Sequence, residues 1–307
     1  MSKRINICGD SPRSGYKVYL EKSKYSETTI KTYLKQAEKF SNWCQRNHFQ
    51  VITIDYKTFL QYLKYLQRKK SSKKTIQHKI GALKIYFNYL LSKHYREDNP
   101  IENITIKGVK RTINYNLLES DELEDLYYSY ETENIKDPYH RLTAKRNKII
   151  VGLLVYQGIT TTELKNLEVE NLQLYKGKIY IKSTAKSNAR TLMLKSWQVM
   201  ELLAYVNEIR EAIKELKQVV SERLFIPNNK RLDITVQGIV KKLKKTNHKV
   251  KNIHQIRASV ITNWLKQHNL RQVQVLAGHR YISSTERYVQ DDLESLHEIV
   301  NNFHPIS

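Results

Sequence analysis

The sequence predicts a mainly α-helical protein with a small β-sheet, divided into two domains. Over most of the chain, apolar residues recur at intervals of three and four positions, which is the spacing of one helix face. Residues 178–182 and 191–195 instead alternate apolar and polar residues around a polar turn, as a β-hairpin does, and residues 171–174 are a candidate third strand. With 307 residues, the chain is long enough for two domains that each bury a hydrophobic core.

Three helices are predicted in the N-terminal third. Ser26 is a typical N-cap, and the helix after it carries apolar residues at positions 30, 33, 34, 37 and 40. Residues 56–66 repeat this pattern, and residues 76–90 form a third apolar face. Asn99-Pro100 ends the helical region, because the residue before a proline disfavours helix.

A short connection separates the two predicted domains. We expect a helical domain over residues 1–106, a linker with few apolar residues over residues 107–117, and a larger second domain over residues 118–307. Helices dominate the second domain, and the hairpin interrupts them.

Positive charge is concentrated in the first domain. The formal net charge is +23, and residues 1–110 carry 23 Lys and Arg against 8 Asp and Glu. Such an excess predicts a polyanionic partner, because each phosphate that is neutralised releases condensed counterions. Nucleic acid is the first candidate, and an anionic membrane surface is the second.

Composition argues against several other classes of protein. The longest apolar run, residues 149–159, contains Gln157 and is shorter than a membrane span. The N-terminal residues lack the apolar core of a secretory signal. Cys8 and Cys44 have no metal-ligand spacing, so neither a disulfide framework nor a structural zinc site is expected. We therefore expect a reducing, cytoplasmic compartment.

His254 and Arg257 form the first candidate functional pair. They are three residues apart, so on a helix both side chains lie on one face, and Asn252 is placed to cap that helix. A guanidinium that is held in this way can bind two oxygens of one phosphate. The alternative is an ordinary surface pair on an amphipathic helix.

Gly278, His279 and Tyr288 form the second candidate group. Gly278 follows an apolar helical run and fits a helix C-cap, which places His279 at the start of a loop. A tyrosine phenol has a pKa of about 10, so as a nucleophile it needs a base and nearby cations. Taken alone, Tyr288 is one of 21 tyrosines and has a core or surface role as its alternative.

Both groups together resemble the tyrosine recombinases, the phage integrase family. The segment from His254 to Ser259 resembles the family's His-x-Leu-Arg-His-Ser element, and residues 276–288 resemble Leu-Gly-His-x-x-Ile-x-x-Thr-x-x-Tyr. Residues 158–164 resemble the box Thr-Gly-Leu-Arg-x-Ser-Glu-Leu. The resemblance implies a helical core-binding domain followed by a tyrosine-recombinase catalytic domain. It also implies site-specific DNA recombination or integration, as in mobile genetic elements.

The resemblance implies a role for each site residue. Tyr288 would attack a DNA phosphate to form a 3′-phosphotyrosyl link, while Arg257, His254 and His279 would stabilise the developing charge. Lys186, in the hairpin turn, would protonate the leaving oxygen, with Lys182 as a second candidate. No metal or nucleotide cofactor is expected, because the phosphotyrosyl link conserves the bond energy.

Thr160 departs from the family box, whose arginine it replaces, whereas the acidic member Glu163 is present. Three explanations are open at this point. Another cation substitutes, with Arg190, Arg146 and Lys165 as candidates; or the protein cuts slowly under the control of a partner; or it is a catalytically impaired DNA-binding relative with an accessory role. A topoisomerase-like activity without strand exchange is a further alternative.

The resemblance also implies partners. The two domains are expected to enclose double-stranded DNA, through the basic residues Lys31, Lys35, Lys69, Lys70, Lys73, Lys74, Lys110 and Arg111. Residues 291–303 have the apolar spacing of an amphipathic helix, and in relatives this segment docks into a neighbouring protomer. We therefore expect a homo-oligomer on DNA, a tetrameric synapse; the alternative is that this helix packs on its own domain. An accessory protein or a second recombinase is a further expected partner.

Overall fold

The computed structural model describes residues 12–109, 116–228 and 231–289. Chain packing divides the protein into an N-terminal unit, residues 1–111, and a C-terminal unit, residues 112–307. The described residues are mainly helical and include one three-stranded sheet, which lies in the C-terminal unit. The predicted fold class is thus confirmed.

The N-terminal unit contains the helices predicted from the sequence and one short helix before them. Its described helices are α1 (Pro12–Lys22), α2 (Glu27–Arg46), α3 (Tyr56–Arg68) and α4 (Lys73–Ser92). The N-termini of α2, α3 and α4 are capped by Ser26, Asp55 and Ser72. Each of these side chains accepts a hydrogen bond from the backbone nitrogen three residues later.

Aromatic rings fill the core of the N-terminal unit. Phe40 is fully buried, and its ring centroid lies 4.9 Å from that of Tyr62, 5.7 Å from Phe59 and 5.8 Å from Phe87. These contacts join α2, α3 and α4 through their apolar faces. The lysines between the apolar positions are therefore left on the outside of the unit.

The C-terminal unit is built around a buried central helix. Its described helices are α5 (Ser120–Tyr128), α6 (Pro138–Tyr156), α7 (Thr161–Asn166), α8 (Ser196–Ala204), α9 (Arg210–Lys217), α10 (Leu232–Thr246), α11 (Ile253–Leu265), α12 (Leu270–Ala277) and α13 (283–289). In α6, Ile150, Val151 and Leu153 are completely buried. One π-helical turn, Tyr205–Ile209, joins α8 to α9.

The sheet confirms the predicted hairpin and its third strand. Strands β1 (Leu172–Gln173), β2 (Lys178–Ile181) and β3 (Arg190–Met193) pair antiparallel in that order. The hairpin strands are shorter than predicted, and β3 begins one residue earlier, at Arg190, which pairs with Ile181. Because side chains alternate along a strand, Arg190 lies on the same buried face as Leu192.

Local capping fixes the ends of the two helices that carry the sequence motifs. Asn252 accepts a hydrogen bond from the backbone nitrogen of Gln255 at the start of α11. Gly278 ends α12 in the left-handed conformation, with φ of 67°. Both caps were predicted from the sequence and are confirmed.

Candidate active site

Arg257 is the buried anchor of the candidate active site. It lies on α11 and is 8% exposed, and its apolar neighbours Ile256 and Val260 belong to the main core. Its Nη1 donates to the carbonyl of Gly158 (2.5 Å) and its Nη2 to the carbonyl of Ala277 (2.6 Å). Burial lowers the pKa of Arg257, and the nearby charge of Glu163 opposes this effect. The guanidinium is therefore fixed between the loop after α6 and the end of α12.

His279 and Tyr288 are brought together by the turn between α12 and α13. Their rings are stacked at a centroid distance of 5.9 Å and an interplanar angle of 13°. His279 Nδ1 lies 2.8 Å from the hydroxyl of Thr285, which is completely buried. The Tyr288 ring also packs against a small cluster that contains Ile261 and Val273, and Tyr288 lies close enough to Arg257 to raise the pKa of that guanidinium.

His279 is held in its neutral form. Burial lowers the pKa of His279 to about 4, and the positive charges of Arg257, Arg287 and Arg190 act in the same direction. At neutral pH the imidazole is therefore uncharged, and it serves as a hydrogen-bonding group beside Tyr288 rather than as a second cation.

Glu163 is the centre of a buried polar cluster at the start of α7. Thr160 donates to Glu163 Oε2 from its backbone nitrogen (2.9 Å) and its hydroxyl (2.8 Å), and caps the helix in return. Arg190 Nη1 and the hydroxyl of Ser187 donate to Oε1, at 2.6 Å and 3.0 Å. Burial alone would raise the pKa of Glu163, but the hydrogen bond and charge of Arg190 hold it at about 2. The carboxylate is ionised and its hydrogen bonds are provided by its neighbours.

The hairpin turn that carries Lys186 is attached to the His279 segment. Ser187 and His279 form an antiparallel bridge, and the backbone nitrogen of Asn188 donates to the carbonyl of Gly278 (2.9 Å). Arg280 Nη2 donates to the carbonyl of Thr184 at the other end of the turn (2.9 Å). Lys186 itself is exposed.

Lys182, the second lysine candidate, is engaged elsewhere. It forms ion pairs with Glu168 and with Glu170 (2.9 Å), and these hydrogen bonds raise its pKa. A lysine with a raised pKa is a weaker proton donor, so the geometry favours Lys186 over Lys182.

His254 lies on the first turn of α11 and is exposed. It lines a groove of about 430 Å³ between α7, α10 and α11, which also contains Thr161, Lys241, Lys244 and Lys251. His254 is thus one helical turn before Arg257 and faces a basic surface.

The three cations considered as substitutes at position 160 lie in different surroundings. Arg146 is completely buried and donates to the carbonyl of Ile226 (2.5 Å) and to the side chain of Asn147. Lys165 is exposed on α7. Arg190 contacts Glu163 directly. Sequence reasoning named Arg190 without being able to choose it, and it missed Ser187, whose contact with Glu163 joins residues 24 positions apart. Thr285 was part of the sequence motif, but its hydrogen bond to His279 was not predicted.

The basic residues predicted to contact DNA are exposed wherever they are described. Lys35, Lys69, Lys70, Lys73 and Lys74 lie on the surface of the N-terminal unit. Lys31 is also exposed and forms an ion pair with Glu27 (2.6 Å). Lys110, Arg111 and the predicted helix over residues 291–303 lie outside the described residues.

Neither a membrane-spanning helix nor a metal-binding cluster is present among the residues that the structure describes. Across residues 12–109, 116–228 and 231–289, no helix is long and apolar enough to cross a bilayer. Within the same ranges, His, Cys, Asp and Glu side chains do not gather in groups of three that could hold a metal ion.

Comparison with known proteins identifies the class to which this fold and site belong. The model of the phage integrase family matches residues 116–294, more than half of the chain, and that of the phage integrase N-terminal SAM-like domain matches residues 15–97. The chain therefore belongs to the phage integrase family.

Similar curated relatives include Xer recombinases. Tyrosine recombinase XerC of Staphylococcus epidermidis is 26% identical over 288 residues, covering 92% of each chain. XerC of Thermodesulfovibrio yellowstonii is 28% identical over 291 residues, with 92% of each chain covered, and XerD of Staphylococcus haemolyticus is 27% identical over 288 residues, covering 91% of this chain and 93% of the relative. These relatives support site-specific recombination as the function and do not favour a catalytically impaired accessory protein.

Solved structures share the fold. The XerH recombinase in a pre-cleavage complex with its difH substrate has a TM-score of 0.69 at 21% identity, covering 94% of this chain and 84% of that one. A lambda integrase dimer bound to a core site has a TM-score of 0.61 at 13% identity, covering 92% and 77%.

Proposed function

We propose that this recombinase cuts and rejoins duplex DNA with Tyr288 as the nucleophile. The observation that carries the proposal is the stacking of Tyr288 on His279, next to the buried guanidinium of Arg257. An oxygen nucleophile, a neutral imidazole and a fixed cation are the groups that attack on a phosphodiester needs.

The chemistry is a transesterification. The Tyr288 oxygen gives its proton to the neutral imidazole of His279 and forms a bond to phosphorus as the bond to the 5′ oxygen breaks, which leaves a 3′-phosphotyrosyl link and a free 5′-hydroxyl that receives its proton from Lys186. Attack by a 5′-hydroxyl of a second duplex reverses the step. Because each step exchanges one phosphodiester for another, no metal or nucleotide cofactor is needed.

Arg257 stabilises the charge that develops on the phosphate. Two of its nitrogens donate to the carbonyls of Gly158 and Ala277, and a guanidinium has five N–H donors, so others are left for phosphate oxygens. His279 is uncharged at neutral pH, and its Nδ1 shares a hydrogen bond with the Thr285 hydroxyl, so Nε2 is the ring nitrogen left for the reacting groups. His254, one turn before Arg257, contributes from the exposed start of α11.

Lys186 donates the proton to the leaving 5′ oxygen. Its turn is attached to the segment that contains His279, and the Lys186 side chain is exposed. The ammonium group therefore lies on the same side of the molecule as His279, on which Tyr288 is stacked. Lys182, with its two carboxylate partners, does not take this role.

Double-stranded DNA is the proposed partner, and both units contribute to binding it. The described lysines of the N-terminal unit are exposed, and Lys241, Lys244 and Lys251 line the groove beside His254. XerH and lambda integrase were crystallised on DNA substrates, which supports the same use of this fold here. We further propose a tetrameric synapse assembled through residues 291–303 in the cytoplasm, with a second recombinase or an accessory protein as an optional partner.

Covalent trapping tests the proposal. The protein is mixed with DNA from the flanks of its own gene, and the reaction is quenched with detergent. The DNA is nicked near the site so that the short fragment with the freed 5′-hydroxyl diffuses away and cannot be rejoined. We expect a protein–DNA adduct that Tyr288→Phe abolishes while DNA affinity stays within a few-fold. An adduct that persists in Tyr288→Phe would disprove the assignment of the nucleophile.

A further inference from the structure

The candidate site has only a short, neutral side chain at position 160. Thr160 caps α7, and its hydroxyl donates to Glu163 at 2.8 Å. In the family box, this position is an arginine. A recombinase of this family that uses Tyr288 therefore needs its second cation from another part of the chain.

We infer that Arg190, on β3, acts as the second arginine of the site beside Arg257 and replaces the one absent at position 160. This inference rests on the proposed function and assigns a further residue to it. Arg190 is a positioning residue: its charge acts on the groups that surround the reacting phosphate, and its hydrogen bonds fix Glu163.

The contacts of Arg190 place its charge in the centre of the site. Its Nη1 and Nη2 donate to the two oxygens of Glu163, at 2.6 Å and 3.3 Å, so the carboxylate three residues after Thr160 is bound from the sheet. Both side chains are 1% exposed, which leaves little water to screen them. The positive charge of Arg190 lowers the pKa of Arg257 and of His279, the two groups that flank Tyr288.

Gly278 provides the space for this guanidinium. A Cβ at position 278 would lie 2.6 Å from Arg190 Nη1 and 3.1 Å from its Cδ. Only glycine therefore allows Arg190 to pack against the backbone that leads into His279. The left-handed conformation of Gly278 serves the end of α12 as well, so one residue supports both the cap and the arginine.

The other two candidate cations, Arg146 and Lys165, lie in different surroundings. Arg146 directs its donors to Ile226 and Asn147, and Lys165 is exposed. Neither has a contact with Glu163, Gly278 or His279 among the hydrogen bonds of the described residues. Of the three candidate cations, Arg190 on β3 is therefore the one that compensates for the arginine absent at position 160.

Single-turnover rates of adduct formation on nicked DNA test the inference. Arg190→Gln alone would leave a buried carboxylate without its cation, so the main variant is Glu163→Gln with Arg190→Gln, which keeps the net charge of the pair at zero. We expect the rate to fall by about 10²–10³-fold, the size of a lost oxyanion donor, while DNA affinity changes by only a few-fold. Adding Thr160→Arg to this double variant should restore at least about ten-fold of the rate, since it returns a cation to the site.

Arg190→Lys is the second variant, since it keeps the charge with a smaller change in packing. We expect its rate to lie much closer to that of the unmodified protein than the rate of the double variant does. Arg210→Gln is the matched control, because Arg210 is also a buried arginine of this unit, paired with Glu211 and the carbonyl of Arg223. It should lower stability without changing the rate.

Two results would overturn the inference. One is a rate within about three-fold of the unmodified protein for the Glu163→Gln, Arg190→Gln double variant, which would make the pair purely structural. The other is an Arg190→Lys rate as low as that of the double variant, which would mean that charge is not the relevant property. If the unmodified protein forms no adduct that depends on Tyr288, the proposed function itself fails, and this result is distinct from both.

Discussion

At the scale of single residues, burial decides which groups of the site are charged. Glu163 stays ionised because Arg190 binds it, whereas His279 is neutral because it is buried among arginines. The site therefore contains two fixed guanidinium groups and an uncharged imidazole next to Tyr288. This arrangement suits a reaction that builds negative charge on a phosphate.

The neutral state of His279 predicts how stability depends on pH. Its pKa is lowered from 6.5 to about 4 in the folded protein, so as pH falls through this window the unfolded state takes up the proton first. The free energy of unfolding should then fall by about 1.4 kcal/mol per pH unit from this group. Between pH 6.5 and pH 5, the free energy of unfolding of His279→Gln, measured with denaturant, should fall by about 2 kcal/mol less than that of the unmodified protein.

The signal to follow in that experiment is the fluorescence of the C-terminal unit, which contains Trp197 and Trp264. The chain has two units, so the transition of this unit must be separated from that of the other. Equal pH-dependent losses in both proteins would show that His279 is protonated normally in the folded state.

The assignment of Lys186 as the acid predicts a substrate-dependent defect. Lys186→Ala should slow cleavage of ordinary DNA by about 10²–10⁴-fold, the usual contribution of a general acid. With sulfur in place of the 5′ bridging oxygen, the leaving thiolate needs no proton, and the defect should largely disappear. Lys182→Ala, which removes the ion pairs with Glu168 and Glu170, should show neither effect. A Lys186→Ala defect of equal size on both substrates would contradict the role.

At the scale of secondary-structure elements, the hairpin and the end of α12 form one connected assembly. The turn of the hairpin forms hydrogen bonds with Gly278, His279 and Arg280, and the side chain of Arg190, on β3, packs against Gly278. The proposed acid, the positioning arginine and the partner of the nucleophile are thus held by two elements that are far apart in sequence. Their relative placement depends on close backbone approach at Gly278.

Two glycines with similar backbone conformations allow this dependence to be measured. Gly278 and Gly177 have φ of 67° and 62°, but a Cβ at position 177 would have no atom within 4 Å. Gly177→Ala should cost about 1–2 kcal/mol from backbone strain alone and leave the adduct rate unchanged. Gly278→Ala should cost more and slow adduct formation, because it displaces Arg190. Thermal unfolding and trapping check both; equal effects of the two changes would show that Arg190 does not need this space.

At the scale of the whole molecule, net charge governs the encounter with DNA. The charge of +23 is concentrated in the N-terminal unit, whose apolar residues form the core and leave the lysines on the surface. Contacts to phosphates should therefore dominate affinity, while specificity for a recombination site comes from other contacts.

Salt dependence tests this view of binding. If six or more phosphates are contacted, affinity should fall by about 10³-fold or more between 50 and 200 mM salt. Replacing Lys69, Lys70, Lys73 and Lys74 by alanine should reduce the slope of log affinity against log salt by about one for each phosphate that is no longer bound. Fluorescence anisotropy with a labelled duplex measures both quantities. A shallow slope in the unmodified protein would argue against binding through phosphates.

The sequence determined several of the helices and the hairpin, and it named the residues of the candidate site. Periodicity and caps predicted α2, α3, α4 and the hairpin, because these signals act within a few residues. His254 with Arg257, and His279 with Tyr288, were predicted because each pair lies on one short segment. Alternation along β3 would also have placed Arg190 on the buried face with Leu192, which was the available signal for its role.

Only the tertiary structure decided which groups meet and in what charge state. The bond of Arg190 to Glu163 joins residues 27 positions apart, and that of Arg257 to Gly158 joins residues 99 positions apart. Spacing along the chain carries no information about such contacts, which follow from how helices and sheet pack. For the same reason, the neutrality of His279 and the engagement of Lys182 by Glu168 and Glu170 could not be predicted, since pKa depends on burial and on charges that arrive from other elements.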